Sequence, residues 1–102
     1  MKKEDLQERN KKFVFGVIDL IDQRPKGMSF AVFSRQLLRC ASSVGANYRA
    51  KSPADFINKL KIVEEEIDES DYFLELIEYA VKPNKLEAIK SLRIEANELL
   101  SI

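Results

Sequence analysis

Residues 52–77 read SPADFINKLKIVEEEIDESDYFLELI, and their spacing decides the fold. Ser52 stands where a helix N-cap accepts from the backbone, Pro53 takes the first helical position and Asp55 the third. Behind this start, Phe56, Leu60, Val63, Ile67, Ser70, Leu74 and Ile77 recur at intervals of 4-3-4-3-4-3. That is the seam of a helix lying on other helices at a shallow angle. Ile57, Tyr72, Phe73 and Leu76 add apolar surface on a second side, so this helix is expected to touch more than one neighbour. Together they would make a larger apolar patch than a monomer usually exposes, which points to self-association.

Helical spacing continues on both sides of this segment. Upstream, Phe30, Phe33, Leu37, Ala41, Val44 and Tyr48 share one face of a helix expected to start with Ser29 as N-cap. It should end near Lys51, because the residue before Pro53 is pushed out of the α region. Earlier still, Leu6, Phe13, Val17 and Leu20 form a stripe, interrupted by Asn10, on a helix from about Glu4 to Gln23. Pro25 and Gly27 punctuate the connection that follows. Downstream, the chain restarts after Pro83, with Asn84 as cap and Glu87 completing the capping pattern. Leu86, Ile89, Arg93, Ala96 and Leu100 carry its stripe, flanked by Leu92 and Leu99. The breaks are short and no segment alternates like a strand. The sequence therefore predicts an all-α, antiparallel up-down-up-down four-helix bundle, one domain over residues 1–102.

Composition narrows the function. The 102 residues contain no His and one Cys, which excludes a Ser-His-Asp triad, a Cys-His pair, a His-ligated metal and an internal disulfide. A small chain that needs no bridge suits a reducing cytoplasm. Met1-Lys2-Lys3-Glu4-Asp5 has no apolar run behind it, and no stretch approaches the ~20 apolar residues of a membrane span, so a soluble cytoplasmic protein is expected. Formal net charge is zero, yet residues 1–61 carry 13 basic and 6 acidic side chains, and residues 62–102 carry 4 and 11. Such a split fits either a basic binding face or oppositely charged surfaces that pack together.

The candidate chemistry is sparse. The acids from Glu64 to Glu75 lie on one helix and lack the Glu-x-x-His pairs of di-metal bundles, so they read as a solvated or inter-subunit face, with no metal and no cofactor. Cys40, in mid-helix with no base, reads as packing. Gly45 sits inside a helix, where it costs about 1 kcal/mol relative to Ala, so a neighbouring helix should approach there. Ser42 and Ser43 beside it lack the base and the strained turn of a nucleophile. Arg35, Arg39, Ser42, Ala46 and Arg49 share a stripe opposite the apolar face, with Lys51, Lys59 and Lys61 following in sequence. Guanidinium forks grip phosphate oxygens and small residues let a nucleic-acid backbone come close, so Arg35, Arg39, Arg49, Lys51 and Lys59 are candidate nucleic-acid contacts. The other reading pairs these arginines with acids of the third helix or of another subunit. No aromatic interrupts the stripe, so base stacking is not indicated.

The segment from Gln36 to Ala50, with Ser43-Val44-Gly45-Ala46-Asn47-Tyr48-Arg49 at its centre, resembles the signature of the 23S rRNA intervening-sequence proteins. So do residues 55–66, Asp68-Glu69-Ser70, Tyr72-Phe73-Leu74-Glu75-Leu76, and Glu95-Ala96-Asn97-Glu98-Leu99-Leu100 near the end. The resemblance implies a small bacterial protein, an antiparallel four-helix bundle and a homopentamer, with no catalytic residue to carry over. A related accessory protein of diversity-generating retroelements is a pentameric barrel whose basic surface engages nucleic acid and a reverse transcriptase. RNA or another nucleic acid is thus an implied partner. Against the family pattern, Ala50-Lys51-Ser52-Pro53 is an abrupt junction, which is expected to shorten the second helix by about a turn, and the last helix is expected to be short. Two classes of function follow: a nucleic-acid-associated oligomeric adaptor, or a structural bundle that binds protein only.

Overall fold

A computed structural model describes residues 3–22, 27–48, 52–81 and 86–101. Four helices run α1 Lys3–Ile21, α2 Met28–Tyr48, α3 Pro53–Ala80 and α4 Leu86–Leu100. Each packs on the next, and α1 also packs on α4, which closes the four into a bundle. At ~1.5 Å per residue the 28 residues of α3 span about 42 Å, so this helix sets the long dimension of the 43 × 21 × 19 Å molecule.

The start of α3 matches the sequence reading. Ser52 has extended backbone (φ −143°, ψ 161°) and its Oγ accepts from Asp55 N at 3.1 Å. The start of α2 does not. It lies at Met28, with Ala31 N donating to Gly27 O at 3.2 Å, so Ser29 is in the first turn and not the cap. Gly27 has φ +120°, a conformation open to glycine, and the chain turns into the helix there. The first helix runs to Ile21, and Gln23, its expected end, lies outside the described residues. The end expected for α2 near Lys51 and the Asn84 cap of α4 lie outside the described residues.

One face of every helix is buried: Phe13 and Val17 from α1, Leu37 and Val44 from α2, Ile67 and Leu74 from α3, Ile89 and Leu92 from α4. Phe56 and Leu60, at the head of the α3 seam, are only half-buried. On α4 the buried face is Ile89, Leu92, Ala96 and Leu99, rotated from the expected stripe. Arg93 leaves that stripe because a guanidinium in a dry core would lack partners. It turns to α3, where Nε meets Asp71 Oδ1 at 2.8 Å and Nη1 meets Glu78 Oε2 at 3.3 Å. The bond that Arg93 donates to Asp71 raises its pKa above the ordinary value. Arg9 ties α1 to α4 in the same way, by a two-pronged pair with Glu95 at 2.7 and 3.1 Å.

Among the described residues, Asn10, Ser34 and Ser70 are polar side chains buried with the core. Ser70 Oγ donates to Glu66 O at 2.8 Å. Among the described residues, Asn10 Nδ2 and Ser34 Oγ have no hydrogen-bond partner. An unsatisfied buried group costs about 1–3 kcal/mol, so both are departures from a purely packed interior.

Candidate functional site

The outer face of α2 is built as its periodicity dictates: Arg35, Arg39, Ser42 and Ala46 are all exposed. No acid lies anywhere on this helix. Arg35 has no ion pair among the described residues. Arg39 is held. Its Nη2 lies 3.1 Å from Glu69 Oε2 and 3.1 Å from Cys40 Sγ, and its Nη1 lies 3.6 Å from Glu66 Oε2. The pairing with acids of α3 is therefore realised for Arg39. Lys59, in the second turn of α3, sits 4.0 Å from Asp55 one turn back. It is seven residues before Glu66, roughly 10 Å along the helix from the Arg39 clamp. Arg49 and Lys51 lie outside the described residues.

The clamp also explains Cys40. The residue is fully buried and its Sγ donates to Glu69 Oε2 at 3.3 Å. Burial and that bond push the thiol up to about 12, against the pull of Arg39. It is protonated at neutral pH and is no nucleophile. Cys40, Glu66 and Glu69 bring their ligand atoms within 4.8 Å of one another. Arg39 already supplies the cation of this cluster, and the thiol keeps its proton, so the donor set suits a structural pair better than a metal. The sequence alone did not connect Cys40 to the acids, since they lie 26 and 29 residues apart on different helices.

The expected association patch is divided. Ile57 and Tyr72 are 67% and 56% exposed. Fifteen residues separate them, ~22 Å along α3. Phe73 and Leu76 are half-buried on the side facing α2, where Phe73 lies 6.5 Å from Phe33 and 5.5 Å from Tyr72, ring to ring. Other large apolar side chains are as exposed: Phe15 58%, Tyr79 96% and Ile94 62%. Tyr79 follows Tyr72 by seven residues, a spacing that could have marked it on the same outer row.

Between α1 and α2 an open groove of about 390 Å³ is lined by Val14 and Phe15 on one wall and by Ser42, Gly45 and Ala46 on the other. Asn10, 1% exposed, lies at its base. A Cβ on Gly45 would collide with Asn10 Oδ1, so the close approach expected at this glycine is made by α1.

An all-α bundle of four helices with adjacent and α1–α4 contacts defines the class of protein: an antiparallel four-helix bundle. Neither a scan of protein-family models nor a search of curated proteins finds a match. A solved structure does: a protein of unknown function from the S23 ribosomal protein family, from Bacteroides thetaiotaomicron VPI-5482. It is 30% identical, with a TM-score of 0.76, over 94% of this chain and 92% of that one. The chain belongs to the S23 ribosomal protein family, the 23S rRNA intervening-sequence proteins. No helix among the described residues is long and apolar enough to cross a membrane.

Proposed function

We propose that this protein is a non-enzymatic, cytoplasmic bundle that works as a homo-oligomer. The observation that carries the reading is the exposure of large apolar side chains outside a complete core. Phe15, Ile57, Tyr72, Tyr79 and Ile94 are each more than half exposed. Of these, Tyr72 and Tyr79 stand one above the other on the outer row of α3, and burying such a row between copies is its ordinary use. Five copies is the number the family resemblance implies. The lack of histidine and the protonated state of Cys40 support a role without catalysis. Light scattering behind a sizing column tests the reading: the expected mass is five times 11.8 kDa, and a monomer at micromolar concentration would overturn it.

A second reading makes the assembly an adaptor for RNA, through Arg35, Arg39, Arg49, Lys51 and Lys59. It is favoured by the acid-free outer face of α2, where Arg35 stands exposed. Phosphate contacts make affinity fall steeply with salt. Titration of RNA at two salt concentrations tests this reading independently of mass.

A further inference from the structure

We infer that the groove between α1 and α2 is a socket for α3 of a second copy, so that copies join head to tail. The inference rests on the self-association proposed above and names the two surfaces that meet. The socket is built by a close approach. Gly45 seats α2 against Asn10, and the small side chains of Ser42 and Ala46 leave the space above open. Val14 and Phe15 wall that space. Because the helices are antiparallel, Ile18 and Leu38 stand about two turns further along at one level, each 38% exposed. They prolong the apolar walls.

Two features of the groove ask for a particular occupant. Asn10 is a buried amide at its base, and Nδ2 has no acceptor among the described residues. It calls for an acceptor from outside the chain. On α2 the exposed row beyond Ser42 also offers Arg35, which has no ion pair among the described residues, and the helix carries no acid, while Glu8 and Lys11 on the α1 wall offset each other. The outer row of α3 has the matching chemistry. Glu65, Asp68, Tyr72, Glu75 and Tyr79 follow at spacings of 3-4-3-4, and all are exposed. The helix carries nine acids against two lysines. Its carboxylates offer acceptors and face Arg35, and its two phenol rings offer bulk to a floor of small residues. Opposite charge across a contact fixes register and rejects wrong partners.

Joined head to tail, a copy seated by its row in one socket keeps its own socket for the next copy, and the contact is heterologous. Such contacts close into rings when the rotation between copies divides the circle, whereas a two-fold dimer would use one patch twice.

Paired variants test this. S42W fills the socket from an exposed position, and Y72D/Y79D spoils the row. The wild type is expected to be an oligomer and each variant a folded monomer of 11.8 kDa. An equimolar mixture should form a species of twice that mass and nothing larger, because one intact socket and one intact row remain between the two chains. A46E repeats the socket test by charge, and a helical melt certifies folding of each variant. An oligomeric wild type whose mass S42W and A46E leave unchanged would overturn the socket while self-association stands. Variants that stay monomeric when mixed would overturn it too. So would wild-type mass retained by S42W together with lost RNA binding, which would give the groove to RNA. A monomeric wild type would remove self-association, and the socket with it.

Discussion

The amide oxygen of Asn10 occupies the place that a Cβ on Gly45 would take. One residue is a polar interruption in an apolar stripe of α1, the other a glycine in the middle of α2. Each is unfavourable alone, and together they set the distance between the two helices. Alanine favours a helix by about 1 kcal/mol over glycine. Overpacking a filled site costs about 1–3 kcal/mol. Asn10 is buried and cannot swing to water, so the clash wins. G45A is expected to lose about 1–2 kcal/mol, with the melting temperature falling ~4–8 °C per kcal/mol. In an N10A background the same change should gain up to about 1 kcal/mol. Thermal melts of the four proteins of this cycle measure the coupling, and equal losses in both backgrounds would show that the two residues are not coupled.

Cys40 should be an unreactive thiol whose charge state couples to folding at high pH. Its pKa rises from 9.0 to about 12 through burial and the bond to Glu69. Between those values the unfolded chain has released the proton and the folded chain still holds it. The native state therefore binds more protons there, and stability is full below pH 9 and falls as pH rises toward about 12. The wild type should lose melting temperature over this range faster than C40A. At pH 8 a disulfide reagent should label the native thiol far more slowly than the unfolded one.

Arg93 should be worth more than an ordinary surface arginine. It meets Asp71, Glu78 and, at 3.9 Å, Glu75. Exposed pairs contribute about 0.2–1 kcal/mol each and weaken with salt. Asp71 is only 19% exposed, so removing its partner leaves a half-buried carboxylate unpaired. R93Q is expected to cost about 1–2 kcal/mol at low salt, and less at 1 M salt. A loss that salt does not change would mean that Arg93 acts by packing.

Local signals were legible where one helix carries them complete. The Ser52 cap and the α3 seam from Val63 to Ile77 lie within single elements, and both stand as spaced. The rotation of α4 was not legible, because Leu92, Leu99 and Arg93 satisfy helical spacing in two ways. The acids on α3 choose between them, and spacing on α4 carries no information about α3. The same holds for the candidate site. The arginine row follows from 100° per residue on α2 alone, but its tie to Cys40, Glu66 and Glu69 needs the α2–α3 register. Gly45 signalled a close approach, and only the packing shows that Asn10 makes it.

Arg35 and Arg39 separate the two functional readings, because among the described residues one has no ion pair and the other is engaged. Arg39 bridges Glu66 and Glu69 beside the buried thiol. R39Q should therefore lower the melting temperature by a few degrees, as a partly exposed pair is lost and the acids are left facing each other. R35Q touches no ion pair among the described residues and should leave the melt unchanged. If the outer face of α2 holds RNA, R35Q should weaken binding and flatten the log–log salt slope by about 0.7–0.9, the share of one phosphate contact. If it instead faces α3 of the next copy, R35Q should shift the oligomer toward monomer, with no RNA effect beyond that of lost avidity. Measuring the salt-titrated RNA affinity and the solution mass of the same two variants decides between them. Absence of RNA binding by the wild type at ~50 mM salt, where phosphate contacts are strongest, leaves α2 to protein contact alone.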